Sequence, residues 1–256
     1  MKHLFTNEGE AALAELMRQR PLLAFDFDGT LAPIVLRPGW ARIPTAVSAR
    51  LARLATRLPV AIVTGRALAD VRGRLGFEPQ YIIGNHGAED DIDAAGAAAR
   101  ADALEPLRRS LLAKTEALVA AGVTIEDKGQ SIALHYRLSR EPGHALALIR
   151  QTLASTPAPL HVFAGKMVVN ATAQGAPDKA HAVRALLARS GASCALFAGD
   201  DVNDEPVFAA APPSWLTVRV GRDDPTSRAR FYLDSPSEVA LLLERALANL
   251  PPPDPA

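Results

Sequence analysis

Asp26 and Asp28, in the stretch AFDFDGT, stand two residues apart at the end of an apolar run and are followed by Gly29 and Thr30. Residues two apart on a strand point to one side, so the two carboxylates would share a site in which each raises the cost of ionising the other. A divalent cation relieves that cost, and carboxylates with water are the ligands Mg2+ prefers. A solvated Asp-Gly turn with Thr30 as a cap is the plainer alternative. A second acidic group, Asp200, Asp201, Asp204 and Glu205 in GDDVNDE, follows the apolar run CALFA. Alone it suits a helix N-terminus; beside the first pair it makes a hard-cation site. Thr64, Gly65 and Arg66 follow LPVAIV, and a Thr-Gly turn that opens a helix offers a hydroxyl and backbone N–H groups to an anion. Lys179, in APDKAHAV, begins an amphipathic segment and could neutralise phosphate charge if it faces the same crevice.

The elements that must position these groups are short. Strands are expected at 21–27, 58–63 and 80–84, helices at about 44–57 and 67–75, and a short helix from Asn7 with Glu10 three residues on. Nearly continuous apolar runs separated by helices predict a parallel sheet covered on both faces. Such sheets bind ligands beyond the carboxyl ends of their strands. AFDFDG, AIVTGR, YIIGNHG and ALFAGDD each place polar residues just past an apolar run, so four strand ends should converge on one crevice. The fold class expected is α/β, with a doubly wound, mostly parallel, Rossmann-like sheet core and an inserted smaller α/β domain.

The insert is marked by a change of texture between about Asp90 and Asn170. The alanine-rich 94–103 segment reads as linker or helix, a long helix follows, and VTIEDKGQSIALHYR reads as two strands around Lys128 and Gly129. EPGHALALIRQTLAS is a second helix, and LHVFAG with KMVVNA a further strand pair. Two βαβ-like halves with hairpins are expected, with core boundaries at 1–89 and 172–256, an insert at 90–171, and PPPDPA as a frayed tail.

Composition narrows the partners. The 256 residues are 48% hydrophobic, enough for a substantial core, and the 28 Lys and Arg equal the 28 Asp and Glu. No basic field marks the chain for nucleic acid. The single Cys194 cannot form an internal disulfide, MKHLFTNEGEAALAEL lacks the apolar stretch of a secretory signal, and no apolar run approaches the ~20 residues of a membrane span. A cytosolic protein without a membrane partner, monomeric or weakly dimeric, is expected.

Taken in order, D-x-D-G-T, the Thr64 strand end, Lys179 and the acidic pair resemble the haloacid dehalogenase-like phosphohydrolase superfamily. The resemblance implies that Asp26 takes the phosphoryl group as an aspartyl phosphate, while Asp28 protonates the leaving group and then activates water. It also implies that Thr64 and Lys179 hold phosphoryl oxygens. Mg2+ would lie on Asp26, the Asp28 carbonyl and Asp200, supported by Asp201 and Asp204. Within the superfamily, DFDGTLAPI, TGR, GNHGAE, SIALHYR, GKMVV and GDDVNDE are similar to the trehalose-6-phosphate phosphatases, over residues 22–222. The insert is then a cap that closes on the core; the resemblance implies sugar contacts from Glu89, Lys128, His135, Arg137, Lys166 and Asn170, with Gly65 and Arg66 of the core also meeting substrate. At Asn170 that family usually carries Glu, so sucrose 6-phosphate or a glycosyl-glycerate phosphate is the rival substrate. Arg66 has a second reading, pairing with a neighbouring acid. A phospho-acceptor signalling domain and a non-catalytic sugar-phosphate sensor are the readings from other classes.

Overall fold

The computed structural model describes residues 1–35 and 37–252, so positions 253–256 of the PPPDPA tail lie outside the described residues. The chain opens with strands β1 (Lys2–His3), β2 (Leu22–Phe25), β3 (Val60–Val63) and β4 (Tyr81–Ile83). Strands β5 (Thr124–Asp127), β6 (Ser131–His135), β7 (Leu160–Gly165) and β8 (Val168–Ala173) follow, and β9 (Ala195–Gly199), β10 (Leu216–Val220) and β11 (Phe231–Leu233) close the series. The chain divides into two compact units, residues 1–87 with 178–256, and residues 88–177. The expected boundary at 172 falls inside β8, whose Thr172 and Ala173 still pair with the second unit's sheet.

The first unit is built on a seven-stranded sheet in the order β1-β11-β10-β9-β2-β3-β4, with every pairing parallel. LLAF, VAIV and ALFAG are buried at every position, as strands covered by helices on both faces must be. The expected strands at 21–27, 58–63 and 80–84 contain β2, β3 and β4. Edge strand β1 and its neighbour β11 are short, three residues or fewer, and carry no periodicity that the sequence would betray. The expected helix 44–57 is Thr45–Ala55, and 67–75 is one α-helical turn, Leu68–Val71, continued as a 3-10 turn through Arg72–Arg74. The first helix runs Asn7–Arg18, with Thr6 accepting from the Gly9 amide as its cap.

Chain order and spatial order reverse at β2. The strands that follow it, β3 and β4, extend the sheet to one side, while β9, β10 and β11 extend it to the other. The cleft at such a switch point lies beyond the carboxyl ends of β2 and β9. Asp26 follows β2 directly and Asp200 follows β9, and the Asp26 amide continues the ladder by donating to the Ala198 carbonyl at 2.9 Å.

The second unit holds a four-stranded sheet, β5-β6-β8-β7, antiparallel throughout. β6 and β7 each run antiparallel to β8 and are therefore parallel to one another, so the helix Pro142–Ala154 joins them as a crossover with β8 between: the two βαβ-like halves expected resolve into one split βαβ flanked by the β5–β6 and β7–β8 hairpins. Leu104, Leu107, Leu111, Leu118, Ile149 and the alternate strand residues Ile132, Leu134, Val169 and Ala171 form its core. Alternation leaves Glu126, Ala133, Asn170 and Phe163 as one cross-strand row on the opposite face, beside the rows containing His135 and Thr172. The alanine-rich segment is helical, Ala94–Ala103, and the single long helix expected after it is two, Glu105–Ala113 and Thr115–Ala120. Pro106 stands in the first turn of Glu105–Ala113, where its missing N–H costs nothing, and it prevents one continuous helix with Ala94–Ala103.

Candidate active site

Lys179 is the first residue of the helix Lys179–Ser190, capped by Asp178, and its side chain is almost fully buried. Its Nζ donates to Asp26 Oδ1 at 2.6 Å and to Asp204 Oδ1 at 2.7 Å. Burial opposes the ammonium charge, yet the attraction of Asp204 and Asp26 outweighs it and raises the lysine pKa. Asp26 is pushed well above the usual carboxylate range, first by burial and then by Asp204 and Asp200, against the lowering pull of Lys179. Breaking a buried pair of this kind costs about 3–5 kcal/mol, whereas apolar packing would do without the desolvation. A strand end that keeps it is a candidate for chemistry.

Asp26, Asp200 and Asp204 offer oxygens that lie within 4.8 Å of one another, and all three residues are buried. Three carboxylates against one ammonium leave a deficit of two positive charges, which is what one divalent cation supplies. The donor set is all oxygen, as Mg2+ and similar hard cations require. Asp204 has a further duty: its Oδ2 accepts the amides of Asp200 and Asp201 at 2.9 and 3.0 Å, which fixes the turn that presents Asp200. Asp201 stands apart from the cluster, its carboxylate capping Val202 and facing the Asn203 amide. Gly29, at φ +81°, completes the fit, because a Cβ there would overlap the Asp200 carboxylate.

Thr64 directly follows β3, its amide bonded to the Ile83 carbonyl, and its hydroxyl accepts the Arg66 amide at 3.2 Å. The hydroxyl proton remains to donate. Gly65 is a close approach: a Cβ would strike the His86 imidazole. His86 and Asn85 lie in the left-handed region, at φ 61° and 48°, in a turn held by the Asn85 amide on the Arg66 carbonyl and the His86 amide on the Thr64 carbonyl. The expectation that Arg66 contacts substrate meets a different arrangement. Its guanidinium grips Asp28 through Nε and Nη2 at 2.6 and 2.7 Å, and Nη1 reaches Asp70 Oδ2 at 2.7 Å. Asp28 therefore faces an arginine, and its carboxylate is not part of the three-acid cluster.

Sequence reasoning named Asp26, Thr64, Lys179, Asp200 and Asp204, which the fold brings to neighbouring strand ends and the adjoining helix start. It passed over Asp70, although Asp70 stands one helical turn after Arg66, the i,i+4 spacing at which an acid and a base meet. His86 was quoted only within GNHGAE, and its turn conformation has no signal in residue type beyond the flanking glycines.

In the second unit, His135 and Asn170 share the sheet face opposite the apolar core, on adjacent strands. His135 Nε2 donates to Glu126 Oε2 at 2.8 Å, and Lys128 pairs with the same carboxylate at 3.7 Å. Arg137 donates to the Lys166 carbonyl at 3.1 Å, and Lys166 lies in the β7–β8 turn. Asn170 is buried at the centre of its row, between Ala133 and Phe163. Glu89 stands near the start of this unit.

A parallel sheet that presents acids at its switch point and carries an inserted second unit is the architecture of the haloacid dehalogenase-like phosphatases. The family model for trehalose-phosphatase matches residues 24–237, and the chain belongs to that family. It is 35% identical over 258 residues to a trehalose-phosphate phosphatase of Mycolicibacterium paratuberculosis, covering 92% of this chain and 64% of that relative, so it spans less than two thirds of the relative's length. Among solved structures, the C-terminal domain of the Candida albicans trehalose-6-phosphate phosphatase superposes with a TM-score of 0.76 at 21% identity, covering 93% of this chain and 96% of that one. The sucrose-phosphatase of Synechocystis sp. PCC6803, in complex with sucrose and phosphate, gives 0.59 at 19% identity, over 90% and 98%. Both share the fold. Among the described residues no helix is long and apolar enough to cross a membrane.

Proposed function

We propose that this chain is a Mg2+-dependent phosphatase that hydrolyses trehalose 6-phosphate to trehalose and phosphate through an aspartyl phosphate on Asp26. Family membership supports the substrate, and the buried Asp26–Lys179–Asp204 constellation at the switch point carries the chemistry. Asp26 attacks phosphorus as the bond to the sugar oxygen breaks, and Asp28 gives its proton to that oxygen, releasing the neutral sugar. Asp28, now a carboxylate, takes a proton from water, whose oxygen attacks the phosphoryl group and frees Asp26. Splitting the reaction into two displacements lowers each barrier. Lys179 has three N–H groups and spends two on Asp26 and Asp204, leaving the third for a phosphoryl oxygen. The Thr64 hydroxyl donates to another. Asp26 and Asp200 would hold Mg2+, with Asp204 orienting them, and the ion when bound supplies positive charge to the transferring group.

Glu89, Lys128, His135, Arg137, Lys166 and Asn170 of the second unit are the sugar-recognition candidates. Hydroxyl-rich ligands are discriminated by polar groups that are left unpaired when a hydroxyl is missing. Asn170 favours a second reading, in which another sugar phosphate such as sucrose 6-phosphate is preferred. A carboxylate there accepts two hydroxyl protons, whereas the amide accepts with one end and donates with the other. A soluble cytosolic enzyme of trehalose synthesis, with no nucleic-acid or membrane partner, fits the neutral composition.

Phosphate release from trehalose 6-phosphate, sucrose 6-phosphate and glucose 6-phosphate, each with Mg2+ and with chelator, tests the proposal. A chelator-sensitive preference for trehalose 6-phosphate is expected, lost by at least about 10³-fold in Asp26→Asn. Full turnover in that variant would refute the mechanism, and a preference for sucrose 6-phosphate would move the specificity.

A further inference from the structure

Asp70 belongs to none of the motifs that define the site, yet it holds the arginine that holds Asp28. Arg66 gives one edge of its fork to both oxygens of Asp28 and turns Nη1 to Asp70 Oδ2. The other oxygen of Asp70 accepts from Arg74 Nε at 3.0 Å, and Arg74 Nη1 reaches the Gly39 carbonyl at 2.7 Å. The Arg66 guanidinium also lies over the ring of Phe27, 5.1 Å from its centroid, and Phe27 is the residue between Asp26 and Asp28. The plane of the guanidinium is thus set by Phe27 and its far edge by Asp70. With both fixed, the bidentate contact leaves the Asp28 carboxylate one orientation.

Stability is a poor account of this chain of charges. The acid side chains at its two ends, Asp28 and Asp70, are 42% and 39% exposed, whereas Arg66 between them is 10% exposed. Ion pairs whose acids reach solvent contribute about 0–1 kcal/mol. What the arrangement fixes is direction, at the one side chain to which the proposed reaction assigns a proton transfer.

We propose that Arg66 and Asp70 are positioning residues for Asp28, with Asp70 acting through Arg66. The inference rests on the reading of Asp28 as the acid of the first step. In that step the Asp28 proton moves to the bridging oxygen while the bond from phosphorus to that oxygen breaks and the bond to Asp26 forms. A sugar alkoxide needs the proton. A p-nitrophenolate leaves as a stable anion and does not. Misplacing Asp28 therefore slows the first step of sugar phosphates selectively, which kcat/KM reports because it does not include the later hydrolysis of the aspartyl phosphate common to both substrates, while damage to the nucleophile, the cation site or the fold slows that step for both alike.

The test measures kcat and KM of the Mg2+-loaded protein on trehalose 6-phosphate, glucose 6-phosphate and p-nitrophenyl phosphate, for wild type, Asp70→Asn and Arg66→Lys. Asp70→Asn keeps volume but leaves one amide to face two guanidinium groups. Its kcat/KM on the sugar phosphates should fall about 10- to 100-fold, the scale of a small misplacement. Its kcat/KM on p-nitrophenyl phosphate should fall less than about threefold, since that leaving group needs no general acid. Arg66→Lys, unable to grip both oxygens, should show the same selectivity. Equal losses of kcat/KM on the two substrate classes, or no loss on either, would overturn the proposal. In an Asp28→Asn background, adding Asp70→Asn should change nothing further, and an additive loss would equally refute action through Asp28. Wild type that hydrolyses glucose 6-phosphate but not trehalose 6-phosphate would refute the substrate reading alone, and the selectivity of Asp70→Asn would still be read on glucose 6-phosphate.

Discussion

In the first unit the candidate side chains sit at strand ends and grip one another; in the second they lie along strands, spaced by alternation. Asp26, Lys179 and Asp204 are buried and joined at 2.6 and 2.7 Å across 153 and 25 residues of sequence. His135 and Asn170 are placed by register alone, one on β6 and one on β8, and His135 and Lys128 share the half-exposed Glu126. A site that must stabilise a reacting phosphoryl group gains from fixed dipoles and charges. A site that must match a sugar gains from residues that can change without disturbing their neighbours, and a strand face allows that.

Two glycines put this contrast to its hardest test. Gly29 and Gly129 have nearly the same backbone, φ +81° and +80°, but a Cβ on Gly29 would overlap the Asp200 carboxylate, while nothing lies within 4 Å of one on Gly129. Alanine at either position meets the left-handed penalty of about 1–2 kcal/mol. Gly29→Ala should in addition displace Asp200 and raise the Mg2+ needed for half-maximal activity about 10- to 100-fold, as loss of ligand support does elsewhere. Gly129→Ala should lower the thermal midpoint and leave the Mg2+ requirement in place. A Mg2+ titration of the two variants decides, and equal behaviour would erase the distinction between the units.

A smaller effect is expected on the strand face. Asn170→Ala removes a neutral amide, and a hydrogen bond of that kind contributes about 0.5–1.5 kcal/mol, so KM for the preferred sugar phosphate should rise about 3- to 10-fold. Hydrolysis of p-nitrophenyl phosphate, which has no sugar, should keep its KM. If Asn170→Ala altered both substrates alike, the buried amide would be a structural feature of β8 and the recognition face would lie elsewhere.

The same contrast explains what could be read before folding. Strand-end acids, the Thr64 turn and the Lys179 helix start are legible because chemistry and period coincide there, an apolar run stopping where polar residues begin. The pairing of Arg66 was open, since a Thr-Gly-Arg turn suits an anion as well as it suits Asp28. Nothing local marks Asp28 as its partner, 38 residues earlier. The breaks in the second unit's helices were hidden by alanine and leucine, which favour one continuous helix, although Pro106 signals one of them. That β8 fills the gap between β6 and β7 has no signal in residue type, because alternating strands around a helix look alike whether the strands the helix joins are neighbours or take a third between them.

Charged ties outside the site give the mildest test. Arg108, on the helix Glu105–Ala113, binds both oxygens of Asp127 at 2.6 and 3.2 Å, Glu105 at 2.7 Å and the Gly129 carbonyl at 2.7 Å, joining that helix to the β5–β6 hairpin. This network ends on a turn, whereas the Arg66 network ends on a proposed proton donor. The Arg108 guanidinium holds the Asp127 carboxyl below its ordinary value, with the Gly129 amide assisting and burial opposing. A carboxylate whose pKa is lower folded than unfolded contributes stability above its unfolded pKa and loses it as pH falls through the folded one. Asp127→Asn should therefore destabilise slightly at neutral pH, by less than about 1 kcal/mol for so exposed a pair. The gap from wild type should stay constant down to about pH 4, the ordinary carboxylate range, and close below it. Urea denaturation across that range measures the gap, and one that widened on acidification would reverse the assigned sign. Hydrolysis of p-nitrophenyl phosphate at neutral pH should not move, because this tie orients a hairpin that carries the sugar-recognition candidate Lys128 and not a reacting group.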